Sequence, residues 1–435
     1  MQSIEIGFWG FGLVLVLIGL RFPIGVALGL VSLIGVTILK GIDVTFALVE
    51  TIPFEFAAHW TLSAIPMFLL MGSVAHHSGI AKSLFDAARV WLGKLPGGLA
   101  VATNFGCAGF AAASGSSTAT AAAFGRFAIP EMNKAGYDQG LSTGVVASAG
   151  TLGTLIPPSI GMLIYGLFAE VSISKLFIAG ILPGILSAAI YAGMIIIRCK
   201  LNPKLAPKVD FEVTWKMRFT VLRDVWPLGL LILSILGGLY TGVFTPTEAG
   251  ACGAFFSMLI AALQRRLTFK LLRLSITEAL SATARIFFVA VGAVLLTKFL
   301  AMSGAPFFLA EMMGDWAGDP VLLVAASSII FITLGMFLDP LGIKLLTLPI
   351  LIPMFDALGL DLIWFGILVV KYVEIGLITP PVGLNVYVIK SVVGDSVKLE
   401  TIFRGVTWFL VCDIVTLFLL IMFPAISTWL PSTMG

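Results

Sequence analysis

The sequence predicts an all-α polytopic membrane protein with two inverted repeats, each containing a re-entrant helical hairpin and a broken helix. Hydrophobic residues form 59% of the 435 positions and charged residues only 11%, whereas a soluble domain carries roughly 25% charged residues. Apolar runs of about 20 residues, long enough to cross a bilayer, recur along the chain. Pro-Pro pairs interrupt two of them, at Pro157-Pro158 and, 223 positions later, at Pro380-Pro381. Such broken backbone is tolerated in a membrane only where protein or a wet cavity covers it.

Residues 1–60 are expected to form scaffold helices. Tight spans are predicted at 5–20 and 23–39, followed by a more mixed connector at 40–60. The first apolar run has no basic segment before it and no clear small-residue cleavage site after it. We therefore expect a retained helix rather than a signal peptide.

The first repeat is predicted at 61–197 and begins with a span at 61–78. A segment rich in small and hydroxyl residues follows at 97–127, and we interpret it as a hairpin that enters and leaves the membrane on one side. Small residues let backbones approach closely, and hydroxyls can replace water around an ion. The remaining segments are the broken helix 139–168, interrupted at Pro157-Pro158, and the return span 175–197.

A polar stretch at 198–224 is predicted to be a cytoplasmic basic linker. It contains seven Lys or Arg residues, and positive residues favour the cytoplasmic side. Scaffold helices are expected next, at 225–273. The second repeat is predicted at 274–404, with a long helix 274–302, an acidic external loop 303–319, a hairpin 320–355 and a broken helix 361–393; a C-terminal helix covers 405–435.

The two halves of the chain match one another at a nearly fixed offset, which drifts by one or two residues upstream of these matches. The basic linker and the acidic loop place the two hairpins on opposite sides of the membrane, so the repeats are expected to be inverted. Inverted repeats with discontinuous helices at matching positions are typical of secondary transporters, whose sites lie near the membrane midplane. The matches at an offset of 223 are Ile129-Pro130 with Ile352-Pro353, Gly136 with Gly359, Asp138 with Asp361, and the two Pro-Pro pairs.

The sequence contains no motif that indicates an enzyme active site. We find no phosphate loop, dinucleotide fingerprint or nucleophile elbow. The four cysteines and three histidines lack the spacing of disulfides or metal sites. A channel and an intramembrane enzyme are alternatives, but no paired acids or histidine cluster would support hydrolysis. We expect neither enzyme activity nor a nucleic-acid partner.

Three motifs resemble the large membrane subunit of tripartite ATP-independent periplasmic (TRAP) transporters: Ser114–Ala121, Gly153–Ser159 and Gly376–Asn385. The resemblance covers essentially the whole chain. It implies a multi-pass, elevator-type transporter in the inner membrane of a bacterium. The implied coupling ion is Na+, and the implied substrate is an organic acid, such as sialic acid or a C4-dicarboxylate. It also implies a separate small four-helix membrane subunit and a periplasmic substrate-binding protein. A stand-alone proton- or sodium-coupled carboxylate transporter of the same fold is the alternative.

Sodium prefers oxygen ligands, which broken helices and hydroxyl groups supply. Free amides at half-helix N-termini suit a carboxylate. Back-bonding within its own helix is the alternative for each Ser or Thr, and Asp339 could be a sodium ligand, a proton site or a helix cap. The sodium candidates are Ser114, Gly115, Ser116, Thr151 and Gly153 in the first half, and Gly335, Asp339, Gly376 and Thr379 in the second; the substrate candidates are Ser117, Thr118, Ser159 and Asn385.

Five further charged residues fall inside predicted spans. Lys371 and Glu374 lie one helical turn apart, so we expect them to pair, because isolated charge in a membrane is costly. Arg285, Lys298 and Lys344 could contact a substrate, but packing against a partner or snorkelling is the preferred interpretation.

Overall fold

The computed structural model describes residues 3–207, 213–305, 308 and 320–434. All regular secondary structure in these ranges is helical, as the sequence predicts. Two pairs of helices bent at a short break, by 53° and 41°, would each add one span. Six described helices are long and apolar enough to cross a membrane: Ile173–Leu201, Trp215–Tyr240, Pro246–Leu263, Phe269–Ser303, Pro340–Ala357 and Leu399–Met422.

The N-terminal region is more helical than the sequence analysis predicts. The expected mixed connector at 40–60 is wrong, because helix resumes directly after Gly41, which has a φ of +89°. Glycine adopts this conformation readily, so it separates two helices without a loop. The helices are α1 (Ser3–Gly19), α2 (Ile24–Lys40), α3 (Ile42–Ala57) and, after a 3-10 turn at Trp60–Ser63, α4 (Ala64–His77).

The next region contains the predicted first hairpin and first broken helix. We use "first hairpin" for residues 98–125 and "first broken helix" for 139–168. The elements are α5 (Ile80–Leu92), α6 (Gly98–Ser114), α7 (Ser117–Gly125), α8 (Ala128–Lys134), α9 (Gln139–Leu155), α10 (Ile160–Phe168) and α11 (Ile173–Leu201).

The predicted linker 198–224 is shorter than expected. Helix α11 runs on to Leu201, and α12 (Trp215–Tyr240) begins inside the predicted linker. The guanidinium of Arg218 lies over the rings of Trp91 and Trp215, at 5.2 and 4.6 Å. Such cation–π contacts stabilise a basic residue at a helix end, where a loop was expected. Residues 208–212 of the linker lie outside the described part of the chain.

The second half starts with α13 (Pro246–Leu263) and the 35-residue α14 (Phe269–Ser303). Most of the predicted acidic loop 303–319 lies outside the described residues. The last helix begins earlier than predicted, at Leu399, and breaks before Pro424, where the proline ring cannot continue the helical bonding. The elements are α15 (Pro320–Gly335), α16 (Pro340–Ala357), α17 (Leu362–Ile378), α18 (Leu384–Val393), α19 (Leu399–Met422) and α20 (Ala425–Ser432).

Helices α9 and α17 form the centre of the protein and are buried along almost their full length. We use "second hairpin" for residues 320–357 and "second broken helix" for 362–393. Helix α9 packs tightly on α19, where a Cβ added to Gly144 would lie 2.6 Å from the carbonyl carbon of Gly405. Both central helices are halves of broken helices. The first break is buried at Pro157-Pro158, whereas Pro380 and Pro381 of the second break are exposed.

Candidate functional site

The first hairpin folds back at Gly115. The ring centroids of Phe110 and Phe124, one on each arm, are 6.0 Å apart. Gly115 has a φ of +60°, a left-handed conformation that glycine adopts without steric cost. The Ser116 hydroxyl then accepts a hydrogen bond from the Ala119 amide at 3.4 Å and caps α7. The nine residues of α7 extend only about 13 Å, too short to cross a bilayer.

The first broken helix begins and resumes at polar caps. Asp138 accepts from the amide of Leu141 at 2.9 Å, where α9 begins. Helix α9 ends at Leu155, just before Pro157-Pro158, and the Ser159 hydroxyl accepts from the amide of Met162 at 3.4 Å, where α10 begins. The N-terminus of α10 therefore lies in the protein interior, since Ser159 is 1% exposed.

The turn of the first hairpin lies against the first broken helix. A Cβ at Gly115 would be 2.8 Å from the carbonyl oxygen of Pro158, and one at Gly153 would be 2.6 Å from the carbonyl oxygen of Ser116. Glycine at both positions therefore permits close backbone approach. Five of the predicted ligands thus lie close together in the first half, around Ser116 and α9.

Thr120 joins this group, although the sequence analysis does not select it. Its hydroxyl donates to the Ser116 carbonyl at 2.8 Å and lies 2.8 Å from the Ser114 hydroxyl. The signal was present, because Thr120 belongs to the same run of small and hydroxyl residues. The Thr151 hydroxyl instead bonds back to the Ser148 carbonyl at 2.7 Å, as the back-bonding alternative predicts.

The turn of the second hairpin contacts the second broken helix in a similar way. Gly335 and Gly376 touch through their backbones, since a Cβ at Gly376 would lie 2.6 Å from the Cα of Gly335. The Gly383 amide donates to the Met336 carbonyl at 3.3 Å. The Thr379 hydroxyl bonds back to the Ile375 carbonyl at 2.6 Å. This turn brings Gly335, Gly376 and Thr379 together.

Asp339 acts as a helix cap in this structure. Its carboxylate accepts from the amides of Leu341 and Gly342, at 3.0 and 3.1 Å. Capping was one of three interpretations of this residue, and the structure shows it directly. In the described part of the chain no three His, Cys, Asp or Glu side chains converge, so an ion here would use mainly hydroxyl and backbone oxygens. Sodium ligation by these residues stays a prediction.

A central cavity of about 570 Å³ lies between the two hairpin turns. One wall carries the first turn and another carries Asp339 and Pro340 of the second, while α14 supplies Arg285. The predicted site residues in its lining are Gly115, Ser116, Ser117, Thr118 and Asp339. Its other lining residues include Ile24, Thr154, Ile160, Gly161 and Arg285.

A side cavity of about 480 Å³ shares Ser116 and Arg285 with the central cavity. It is lined by more polar side chains, including His76 and Glu278. Glu278 accepts from the Ser73 hydroxyl at 2.6 Å and lies 2.9 Å from His77. Arg285 therefore lines two neighbouring cavities. Arg285 is exposed, and its Nε donates to the Ser281 carbonyl at 3.2 Å. Lining both cavities is compatible with substrate contact, and the partner-facing or snorkelling interpretation of Arg285 stays a prediction.

Several predicted residues lie behind the cavity and not on its wall. Thr151, Gly153, Gly335, Gly376 and Thr379 are absent from its lining and lie where each turn meets its broken helix. Ser159 adjoins the lining residue Ile160. Asn385 is fully buried, and its amide donates to the Ala147 carbonyl at 3.1 Å, so it joins the two broken helices.

A buried charge network lies behind Thr154. The Lys371 ammonium is 3.0 Å from Glu374 and 2.7 Å from Asp413, and all three side chains are fully buried. The predicted Lys371–Glu374 pair is confirmed. Asp413 was missed, because it lies on α19, 42 positions further along the chain. Tyr191 donates to Asp413 at 2.5 Å, and Thr154 donates to Glu374 at 3.2 Å.

The contact between Gly335 and Gly376 gives a testable prediction. Gly376→Ala would force the second hairpin off its broken helix and should lower the unfolding temperature, at a cost of about 1–3 kcal/mol. Gly237→Ala in α12 is the matched control, because a Cβ there meets nothing within 4 Å. Thermal unfolding of the purified variants measures both. An unchanged unfolding temperature for Gly376→Ala would contradict the close packing.

Comparison with known proteins identifies a matching family and several relatives. The family model described as "Tripartite ATP-independent periplasmic transporter, DctM component" matches residues 11–426. The C4-dicarboxylate TRAP transporter large permease protein DctM of Pseudomonas aeruginosa is 38% identical over 387 residues, 88% of each chain. The ectoine TRAP transporter large permease protein TeaC of Halomonas elongata is 31% identical, over 94% of this chain and 95% of that one. A sialic acid TRAP transporter permease protein, SiaT of Haemophilus influenzae, is 32% identical over 85% of this chain and 60% of its own length.

Solved structures agree at the level of the fold. The crystal structure of the Alcanivorax borkumensis YdaH transporter superimposes with a TM-score of 0.63, at 15% identity, over 98% of both chains. Neisseria gonorrhoeae MtrF, described as an antimetabolite efflux pump, gives a TM-score of 0.55 at 13% identity. At these identities the likeness concerns the fold alone.

Proposed function

Since the chain belongs to the family of TRAP transporter large permeases, the DctM component, we propose that it imports an organic acid by sodium-coupled secondary transport. The family consists of membrane transporters, and the chain is a multi-pass membrane protein. The observation that carries the proposal is the central cavity, in which both hairpin turns and Arg285 meet. Arg285 and the half-helix N-termini at Ser117 and Ile160, which share the cavity with the Asp339 carboxylate, support an anionic substrate.

Sodium coupling is proposed from the oxygen atoms beside the cavity. Ser114, Ser116 and Thr120 lie within hydrogen-bonding distance of one another in the first half. In the second half Gly335, Gly376 and Thr379 lie together beside Asp339. Hydroxyl and carbonyl oxygens of this kind suit a hard cation such as Na+.

We further propose that the two halves are inverted repeats and that the molecule works as an elevator. Each hairpin turn lies on the broken helix of its own half, so a hairpin and its broken helix would move together. Separating them would expose unpaired backbone groups to lipid, which costs several kcal/mol each.

The partners proposed are those of the family's tripartite arrangement. They are a small membrane subunit and a periplasmic substrate-binding protein, with the large permease in the bacterial inner membrane. Sialic acid and C4-dicarboxylates are the substrate classes favoured, since relatives of both descriptions match this chain. A stand-alone carboxylate transporter of the same fold is the second candidate.

Uptake by proteoliposomes tests the proposal. The vesicles contain this chain and its small subunit, with radiolabelled succinate or N-acetylneuraminate as probe. We expect uptake that requires both an inward sodium gradient and the binding protein. Uptake without the binding protein would favour the stand-alone transporter, and flux without saturation or sodium dependence would favour a channel.

Two variants test the sodium sites within the same assay. Ser114→Ala and Thr379→Ala should each raise the sodium concentration for half-maximal uptake by about tenfold, the effect of losing one polar contact to a charge. Thr297→Ala is the matched control, since its hydroxyl also bonds back within a helix, to the Ala293 carbonyl at 2.9 Å. A normal sodium response in both variants would mean that the ion sites are wrongly placed.

A further inference from the structure

Lys344 is a fully buried lysine for which the function described so far has no use. It lies in the first half of α16, and its side chain is 0% exposed. Its ammonium has no hydrogen-bond partner among the residues that the structure describes. A buried, unpaired charge is strongly unfavourable, so some feature of the function must favour its retention.

The ammonium of Lys344 lies against the start of α10. A Cβ added to Gly161 would overlap it, and the same Cβ would lie 3.7 Å from the Ser159 hydroxyl oxygen. Ile160 and Gly161 are the first two residues of α10 and line the central cavity. Their amides have no carbonyl partner within the helix, because the first N–H groups of any helix lack one. The Lys344 ammonium and the free amides at the start of α10 therefore lie next to one another.

The nearby carboxylates do not form hydrogen bonds with Lys344. Glu374 acts on it electrostatically, but one Glu374 oxygen accepts from Thr154 and the other from Lys371. Lys344 could therefore serve only as a distant counter-charge to that network. Its position at Gly161, without a hydrogen bond to either carboxylate, favours a ligand at the start of α10.

Only one half of the chain carries this arrangement. The residue 223 positions before Lys344 is Ala121, which cannot supply a charge. At the offset that relates the two halves, the lysine is therefore an asymmetric feature. An anion would be bound at the start of α10 and not at the corresponding helix start in the other half of the chain.

We propose that Lys344, together with the free amides at the start of α10, binds one carboxylate of the transported acid. The proposal rests on the proposed function and deepens it, because it assigns the residue that recognises the acidic group. Lys344 itself lies behind Gly161 and is not among the residues that line the central cavity. Arg285 lines that cavity from α14 and is then available to a second polar group of the substrate.

Binding of radiolabelled succinate and N-acetylneuraminate to the purified full chain tests this assignment. Lys344→Met keeps the length of the side chain and removes the charge. We expect the Kd for the acid that the wild type binds to rise about 10- to 100-fold, the usual effect of losing a hydrogen bond to a charged group. The unfolding temperature without ligand should stay the same or rise, because an unpaired buried ammonium is replaced by an apolar group. Lys298→Met, at an exposed position of α14, should leave the Kd unchanged.

The outcomes separate this inference from the proposed function. If the wild type binds one of the acids and Lys344→Met binds it equally well, Lys344 is only a counter-charge and the inference is wrong. If the wild type binds neither acid, the inference and the proposed substrate class both fail. Should Lys344→Met not fold, Lys344→Gln replaces it in the same assay with the same expectations for the Kd.

Discussion

Lys371→Met is expected to destabilise the protein severely, by about 3–5 kcal/mol. The substitution leaves Glu374 and Asp413 without the one ammonium that both contact. These carboxylates are fully buried between α11, α17 and α19, so water cannot replace the lost cation. The expected result is a large fall in unfolding temperature and little folded protein, measured by thermal unfolding of detergent-purified samples.

Two comparisons identify the cause of that loss. Lys371→Met combined with Glu374→Gln and Asp413→Asn should recover much of the stability, because no unpaired charge then remains. Lys298→Met tests the same substitution at an exposed site within α14 and should change little. Equal stability of Lys371→Met and the wild type would show that the network does not carry the charges assigned to it.

A crosslink between Ile24 and Gly342 is expected to abolish transport. Ile24 begins α2 in the predicted scaffold, and its side chain touches the position that a Cβ at Gly342 of the second hairpin would take. Cysteines at these positions, in a chain without the four native cysteines, would be joined by a short bis-methanethiosulfonate. Uptake should fall to background when the bond is complete and return with reductant, because the hairpin can no longer slide past the scaffold.

The matched crosslink joins Gly125 to Val392, from the first hairpin to the second broken helix. A Cβ at Gly125 would lie 3.6 Å from the Cβ of Val392, a spacing that suits a disulfide. Transport should survive this bond, because both residues belong to the body proposed to move. Single-cysteine variants treated with the same reagent test whether the attached reagent alone blocks transport. Transport that persists with Ile24 and Gly342 fully joined would rule out an elevator and favour local gating.

The helix breaks were predictable from sequence because their causes are local. Pro157-Pro158 and Pro380-Pro381 end α9 and α17 close to where the sequence analysis places them. The small residues around Gly115 likewise predicted a tight turn. Helix ends near charged residues were less predictable, since the start of α12 depends on Arg218 packing over Trp91, a contact between residues distant in sequence.

The cavity lining could be predicted only in part. Ser116, Ser117, Thr118 and Asp339, which the sequence analysis selects as sodium or substrate ligands, do line the cavity, because broken backbone and small polar residues coincide there. Their roles as ligands stay predictions. Arg285 and Lys344 were considered but given other interpretations, since a lone cation in an apolar run looks the same whether it faces lipid or a cavity. Asp413 was missed, because only the packing of α19 on α17 brings it to Lys371.

The hydrogen bonds from Thr154 to Glu374 and from Asn385 to Ala147 run between the two halves of the chain. These bonds are a physical contact through which a change in one half can reach the other. If the two turns bind ligands as proposed and these contacts couple them, the coupling is reciprocal, so each ligand changes the affinity for the other by the same factor. Occupancies at the two turns would then not be independent quantities, and a binding curve for either one would be a property of the whole molecule.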